Sequence, residues 1–548
     1  MQTTRRQLLG ALAATGIGSL VFQRALAAQA AAPGVTSEMI KQAEWIAGIK
    51  LDDDQRDAIT KTLDRTLLGI EQLRAIPLTN DVPPAISFRT LAHDGPATPP
   101  NRQVALPASA GELRKPDSND DLAYLPVAKL APLLRDRKVT SVELTKLYLQ
   151  RLKDRDPQLM CVVNFTEELA LKQAEQADKE IAEGKWRGPL HGVPWGAKDL
   201  IAVPGYPTTW GAPQYREQKF DSPATVVRRL EEAGAVLVAK LSVGALAWGD
   251  DWFRGVTRNP WHPKEGSSGS SAGSCSATSA GLVGFAIGSE TLGSIVSPCT
   301  RCGVTGLRPT FGRVSRHGCM SLAWSMDKLG PIARTVEDCA LIFAAIHGAD
   351  GQDVSAVDRP FEWPARGELK QLRVGYFASA KADDERDELR VLRELGVQLK
   401  KIELPSNLPV GPLSMILEVE AATLFDHHTR TGDTEGLNRW PAVFRKAEFV
   451  PAVEYLRANR VRTLLAREME KVFEQVDCYI GGNDLVITNL TGHPTVVMPH
   501  GFDQRDGVDV PKAITFTGRL FGESSLLQLT HAYQTATGHH LKRPPHVV

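Results

Sequence analysis

The residues best suited to chemistry lie in a stretch rich in glycine and serine, Gly266 to Pro298 (GSSGSSAGSCSATSAGLVGFAIGSETLGSIVSP). It includes the apolar run LVGFAI, which indicates that the stretch is embedded in a fold and is not a low-complexity linker. Small residues let backbone segments approach closely and leave N–H groups free to bind an anion or an oxyanion. The stretch therefore predicts a functional site built partly from backbone.

Two short motifs match those of known serine hydrolases. Gly269 to Gly273 reads G-S-S-A-G, which fits the G-x-S-x-G elbow of α/β-hydrolase esterases with Ser271 as nucleophile. That elbow needs a strand directly before the serine, but the preceding RNPWHPKEGSS has two prolines and no apolar run. Ser325 to Lys328 matches the S-x-x-K of penicillin-recognising enzymes, although neither Ser-Asp-Asn nor Lys-Thr-Gly is present. An esterase that uses Ser271 stays an alternative, and we attribute the S-x-x-K match to chance.

The elements that must position these residues alternate between helix and strand. VVRRLEEAG predicts a helix that stops at Gly234, and the buried-strand run AVLVAK follows at once. LRVGYF, DERDELRVLRELG and VQLKKIEL repeat this alternation nearer the C-terminus. The pattern predicts an α/β fold with a large mixed, mostly parallel sheet flanked by helices.

Composition excludes several classes of function. The 548 residues are 42% apolar and 23% charged, which is typical of a folded protein. Because 64 basic residues balance 64 acidic ones, no global field attracts nucleic acid or an anionic membrane, and we predict neither as a partner. The seven cysteines include one C-x-x-C, Cys299 and Cys302, without the further ligands that a structural zinc needs. We predict buried thiols, no metal and no cofactor.

Residues 1 to 30 have the pattern of a cleaved export signal. Arg5 and Arg6 precede an uncharged run that ends at Gln23, and an A-x-A site of small residues ends at Ala27. The run is shorter than the roughly 20 residues of a membrane span, so we predict no stable membrane insertion. The arginine pair predicts a twin-arginine signal, export of the folded protein by the twin-arginine machinery, and a periplasmic or secreted mature protein. A Sec-type leader is the alternative.

Residues 31 to 121 predict a small helical extension followed by a linker. The linker, Gly95 to Asp121, is rich in Pro, Ala, Ser and Asn. Residues 122 to 548 then form the main domain. The extension has a helical stripe of apolar residues: Ile59, Leu63, Leu67, Ile70 and Leu73.

From about Leu122 to about Pro545 the chain resembles the amidase signature family of serine hydrolases. The resemblance implies a Ser, cis-Ser, Lys triad in which Lys198 is the family's lysine, Ser270 the bridging serine in a cis peptide and Ser294 the nucleophile. It also implies an oxyanion hole formed by the backbone N–H groups of Thr291, Leu292, Gly293 and Ser294. Six segments carry it, in order: GPLHGVPWGAKDLI, SGSSAGS, GSETLGSIVSP, GLRPTFGRVSRHG, LGPIARTVED and NLTGHPTVVMPHG.

The implied triad makes chemical sense. A serine hydroxyl is a weak nucleophile until a base takes its proton, and an ammonium cannot do so, so Lys198 must be held neutral, most simply by burial. Asp199 would favour the charged lysine if it faced it, but consecutive side chains of an extended segment point to opposite sides. Ser270 needs only a hydroxyl to relay the proton between Lys198 and Ser294.

The chain departs from the family pattern beside the nucleophile. Leu292 stands where a glycine is common and Val296 where an arginine is common, so substrate recognition is expected to differ. The sequence Glu-Thr-Leu-Gly-Ser-Ile-Val is similar to that of the family's peptide-amidase branch. Ala245 occupies the position of a frequent glutamate. Candidates to line the pocket are His427, His428, Trp440 and the loop Trp248 to Phe253.

These features predict a serine amidohydrolase that cleaves a small-molecule or peptide amide through an acyl-enzyme on Ser294. One alternative is a non-catalytic binding protein on the same scaffold, although the complete triad favours catalysis. Another is a subunit that transfers ammonia to misacylated tRNA, but the export signal and the neutral charge disfavour it. The sequence leaves the oligomeric state open.

Overall fold

The structure is a computed structural model that describes residues 34–78, 82, 84–86, 102–104, 113–379, 382–383 and 385–545. The predicted leader, residues 1 to 30, lies outside the described residues. The chain forms two compact units. The smaller comprises Met1–Pro84, Leu408–Thr434 and Arg439–Val461, and the larger comprises Ala85–Asn407, Glu435–Asn438 and Arg462–Val548.

The helices, in chain order, are α1 Ser37–Ala47, α2 Asp53–Arg74, α3 Asn119–Ala123, α4 Val127–Arg135, α5 Ser141–Leu159, α6 Glu167–Ala182, α7 Thr225–Glu232, α8 Ala272–Ser279, α9 Val296–Cys302, α10 Val336–Ile346, α11 Asp387–Glu394, α12 Met415–Leu424, α13 Asp426–Thr431, α14 Trp440–Ala447, α15 Ala452–Gln475, α16 Leu485–Thr491 and α17 Glu523–Thr537. No helix in the described part of the chain is both long and apolar enough to cross a membrane.

The strands, in chain order, are β1 Arg102–Val104, β2 Val162–Phe165, β3 Pro194–Lys198, β4 Val236–Leu241, β5 Asp251–Trp252, β6 Gly255–Val256, β7 Arg258–Asn259, β8 His262–Gly266, β9 Phe285–Glu290, β10 Thr305–Arg308, β11 Lys328–Ala333, β12 Phe361–Trp363, β13 Arg373–Tyr376, β14 Gln398–Lys401, β15 Cys478–Ile480, β16 Thr495–Arg505 and β17 Val508–Gly518. Three small two-stranded sheets pair β1 with β12, β5 with β6, and β7 with β8.

The smaller unit is helical in its described part. Helix α2 begins at a capping box, in which the Asp52 side chain accepts from the Gln55 N–H and the Gln55 side chain accepts from the Asp52 N–H. The predicted stripe is buried at Ile59, Leu63, Ile70 and Leu73. Leu67 is 49% exposed, so its assignment to the stripe is wrong. The reason is geometric. At 3.6 residues per turn, Leu67 lies farther round the helix than the other four residues and falls at the edge of the apolar face.

The larger unit is built on an eleven-stranded sheet in the order β14, β13, β15, β17, β16, β10, β11, β9, β3, β4, β2. The predicted mixed sheet with flanking helices is confirmed. Among the described strands of this sheet, four pairings are parallel and six antiparallel, so the antiparallel share is larger than the apolar runs suggested. A buried antiparallel strand is as apolar as a parallel one, and the pattern does not separate them.

The centre of the sheet positions the site. Strand β3 (PWGAK) is buried along its whole length and lies parallel to β9 on one side and β4 on the other. Trp195 and Phe285 stack across β3 and β9 with ring centroids 6.0 Å apart. Because parallel strands end at the same edge of a sheet, the ends of β3 and β9 bring Lys198 and Glu290 to one edge.

Candidate active site

Lys198 lies at the end of β3 and its side chain is fully buried. Its Nζ is 2.8 Å from the Ser270 Oγ, 3.0 Å from the Ser271 Oγ and 2.9 Å from the Ser289 Oγ. The predicted lysine and bridging serine are therefore in direct hydrogen-bond contact. Ser289 was not predicted from the sequence, although its place in the GSETLGS segment was a usable signal.

Burial controls the protonation of this lysine. Desolvation lowers the pKa of Lys198 to about 7, against weaker opposing effects from Cys275, Glu290 and Asp327. No carboxylate among the described residues forms an ion pair with its Nζ. Near neutral pH a large fraction of the lysine is thus the free amine that a general base requires.

Asp199 faces away from Lys198, as the extended backbone predicts. Its Oδ1 lies 2.7 Å from the Nζ of Lys240 on β4, and its Oδ2 accepts from the Thr209 N–H at 2.9 Å. Asp199 and Lys240 are both fully buried. The carboxylate is neutralised by its own partner and does not stabilise the ammonium of Lys198.

The segment before α8 brings Ser270 to the lysine. The peptide bond between Gly269 and Ser270 is cis, the geometry that the family resemblance implies. Gly269 packs against the loop Trp248 to Phe253, where a Cβ on this glycine would lie 1.8 Å from the Gly249 carbonyl oxygen. Only glycine fits at that distance. This loop therefore supports the serine segment, and its part in lining the pocket stays a prediction.

Ser294 lies in the turn between β9 and α9 and is partly exposed, whereas Ser270 and Ser271 are buried. The turn is joined to the serine segment because the Ser271 N–H donates to the Ser294 carbonyl oxygen at 3.1 Å. Gly293 has a φ of +87°, a conformation that favours glycine. The only partly accessible serine of the three is thus the one predicted to attack the substrate.

The backbone of this turn has free donors. In the part of the chain that the structure describes, the N–H groups of residues 291 to 294 donate no hydrogen bond to protein. Unpaired N–H groups that converge beside a nucleophile are what an oxyanion hole requires. The arrangement is consistent with the predicted use of Thr291, Leu292, Gly293 and Ser294.

Two buried carboxylates that were not predicted from the sequence hold the turn, and the first is Glu290. Its Oε2 accepts from the N–H groups of Ile295 and Val296 at 2.8 and 2.9 Å. Its Oε1 accepts from Arg308 and from Asn489, both at 2.8 Å. Burial raises the pKa of Glu290, but Arg308 and Lys328 outweigh it and hold that pKa at about 2.

Asp327 secures the other end of the turn. Its Oδ1 accepts from the Thr291 hydroxyl at 2.5 Å, and its Oδ2 accepts from the N–H groups of Leu322 and Ala323 at 2.7 and 3.0 Å. Burial raises the pKa of Asp327 above its usual range. Glu290 and Asp327 together fix the backbone that carries the free N–H groups.

The remaining candidates have other partners or belong to the smaller unit. The hydroxyl of Ser271, fully buried, donates to the Ser289 carbonyl oxygen, which does not suit the exposed nucleophile of an esterase elbow. Ser325 accepts from Arg462 at 2.8 Å. The predicted pocket residues His427, His428 and Trp440 belong to the smaller unit, and His428 and Trp440 are buried.

The fold and this serine and lysine site define a serine hydrolase. The Amidase family model matches residues 143–481, more than half of the chain. The chain is 34% identical over 472 residues to a glutamyl-tRNA(Gln) amidotransferase subunit of Roseiflexus sp. (strain RS-1), covering 74% of this chain and 95% of that protein. It is also 34% identical over 465 residues to "Putative amidase AmiD" of Mycobacterium tuberculosis (strain CDC 1551 / Oshkosh), covering 78% and 97%.

Among solved structures, the chain is similar to native peptide amidase from Stenotrophomonas maltophilia, with a TM-score of 0.67 and 28% identity over 77% of this chain and 98% of that one. The chain belongs to the amidase signature family. Because this family hydrolyses amide bonds, the prediction of an amide-hydrolysing enzyme is confirmed.

Proposed function

We propose that this enzyme cleaves a carboxylic amide through an acyl-enzyme on Ser294, with Ser270 as proton relay and Lys198 as base. The observation that carries the proposal is the fully buried Lys198 amine, which is 2.8 Å from the Ser270 hydroxyl and has no carboxylate partner in the described residues. A lysine held in this way serves catalysis at a cost to folding.

The proposed reaction has two halves. In the first, Ser294 passes its proton through Ser270 to the Lys198 amine while its oxygen attacks the carbonyl carbon. The free N–H groups of residues 291 to 294 stabilise the oxyanion, and the proton returns through the relay to the leaving nitrogen. In the second half, water attacks the ester and the same relay accepts its proton. The relay then returns this proton to the Ser294 oxygen as the acyl bond breaks, which releases the carboxylic acid and regenerates Ser294.

The substrate class is a small-molecule or peptide amide. Leu292 adds a side chain at the oxyanion turn, and Val296 is apolar where family members commonly carry arginine, so an uncharged acyl group suits this site better than an anionic one. A panel of primary amides, peptide amides, anilides and esters tests this assignment. Preference for an ester over every amide would contradict it.

A fluorophosphonate probe tests the nucleophile. Mass spectrometry should find the label on Ser294, and Ser294→Ala should lose labelling and several orders of magnitude in amide hydrolysis. Label on Ser271 would establish the alternative esterase. A folded wild-type protein that neither takes the label nor turns over any member of the panel would be the non-catalytic binding protein.

We further propose export through the twin-arginine pathway to the periplasm or the medium, on the basis of Arg5, Arg6 and the apolar run that follows. The mature N-terminus should fall between residues 28 and 33. Arg5→Lys combined with Arg6→Lys should leave full-length precursor in the cytoplasm, as N-terminal sequencing of cell fractions would detect. Normal export of the double variant would contradict this pathway.

A further inference from the structure

The Lys198 amine is surrounded by more hydroxyl groups than the proton relay uses. Ser270, Ser271 and Ser289 each place an Oγ within 3.0 Å of its Nζ. An ammonium has three N–H donors and can donate to all three hydroxyls. The neutral amine has two N–H donors and one lone pair, so it donates to two hydroxyls and accepts from the third.

The hydrogen-bond pattern fixes the role of Ser271. Its single hydroxyl proton goes to the Ser289 carbonyl oxygen at 3.1 Å, and its oxygen also accepts from the Ser289 N–H at 3.2 Å. Toward the amine, Ser271 can therefore only accept. This leaves one N–H and the lone pair of neutral Lys198 for the remaining two hydroxyls.

We propose that Ser289, together with Ser271, is a positioning residue that aims the lone pair of neutral Lys198 at the bridging serine. Each of the two accepts one N–H of the amine, which leaves the lone pair for the hydroxyl of Ser270. This inference rests on the proposed function, because it assigns a direction to the proton relay.

Ser289 is well placed for this role. It lies on β9 opposite Leu329 of β11, one residue before Glu290, so that the sheet fixes its position. In the described part of the chain, Lys198 is the only hydrogen-bond partner of its hydroxyl. Its backbone holds Ser271 and its side chain holds the lysine, whose Nζ also lies 3.4 Å from the Ser289 carbonyl oxygen, a longer contact than those to the three hydroxyls. One strand residue therefore orients both hydroxyl acceptors.

Three other titratable groups act on Lys198, and none of them hydrogen-bonds to its Nζ. These are Cys275 on α8, Glu290 on β9 and Asp327 before β11. Burial raises the pKa of the Cys275 thiol well above its usual range, so that group is neutral. Glu290 has a pKa of about 2 and stays ionised. Because the pKa of Lys198 is about 7, we assign the rising limb of the pH profile near neutral pH to this lysine.

The test compares Ser289→Ala, Ser289→Thr and the control Ser274→Ala. Ser274 is a fully buried serine on α8, more buried than Ser289, and its hydroxyl donates to the Ile287 carbonyl oxygen at 3.1 Å and not to the amine. The rate of fluorophosphonate labelling at Ser294 is measured from pH 5 to pH 10, so no knowledge of the natural substrate is needed. Thermal unfolding verifies that each variant is folded.

Ser289→Ala should label roughly 3- to 10-fold more slowly on the pH plateau, the loss expected for one hydrogen bond between uncharged groups. Its rising limb should move to lower pH by about one unit, because the ammonium loses a charge-assisted bond that is stronger than the one the free amine loses. Ser289→Thr keeps the hydroxyl and should restore both values, and Ser274→Ala should match wild type.

An unchanged limb in a folded Ser289→Ala variant would overturn the inference, as would a plateau rate equal to or above that of wild type. Failure of the proposed function looks different, because wild-type protein would then carry no label at Ser294. The two failures are distinguishable within the same experiment.

Discussion

Replacing Lys198 by methionine should abolish amide hydrolysis. It should also change the free energy of unfolding relative to wild type, and this difference should favour the variant more at low pH than at high pH. The lysine is fully buried, and its pKa of about 7 lies below the ordinary 10.5. Below pH 7 the folded protein must bury the charged form, and this cost is present in full. As the pH rises from 7 toward 10.5 this cost disappears gradually, because the folded state has already released the proton that the unfolded chain still holds.

The size of the effect follows from this pKa difference. A displacement of 3.5 units corresponds to about 5 kcal/mol of destabilisation below pH 7 and about 2 kcal/mol at pH 9. Methionine removes that cost but also removes three hydrogen bonds to serine hydroxyls, worth about 1 kcal/mol each at any pH. The stability difference between variant and wild type should therefore fall by about 3 kcal/mol between pH 6 and pH 9.

Urea unfolding at pH 6 and pH 9 measures this change, with the unfolding free energies of both proteins extrapolated to zero denaturant. Lys185→Met is the matched control, because the Lys185 side chain is 71% exposed and its pKa is raised by Glu183, so it does not titrate in this range. Its stability difference should be the same at both pH values. A pH-independent difference for Lys198→Met would refute the buried neutral lysine.

Further predictions concern the same site. Fluorophosphonate labelling of wild type should rise with pH and level off above about pH 7. The Lys198→Arg variant should stay unlabelled, because guanidinium keeps its charge, and labelling of that variant would exclude lysine as the base. Glu290→Gln should slow hydrolysis and lower the unfolding free energy by about 3 to 5 kcal/mol, since buried Arg308 loses its counter-charge; an unchanged urea midpoint would contradict this. Asp199→Asn should also destabilise the protein, because Lys240 is left buried without its partner, yet the folded fraction should still label at the nucleophile, since Asp199 faces away from it.

The sequence alone determined the class of the protein and predicted the residues of its candidate site. Apolar runs bounded by helix stops were sufficient for the mixed sheet, because burial on both faces leaves a strong local pattern. Six ordered segments indicated the family, and with it Lys198, Ser270 and Ser294. The separation of Lys198 from Asp199 was also predictable, since alternation along a strand is a local property.

Only the tertiary structure identified the groups that support these residues. Ser289, Glu290 and Asp327 act through strand pairing and through contacts between segments distant in sequence, for example Glu290 with Asn489. Antiparallel pairing, too, was invisible in the apolar runs, because it depends on which strands become neighbours. A lysine becomes a base when its surroundings exclude water and counter-charge, and that exclusion belongs to the packed fold rather than to the local sequence.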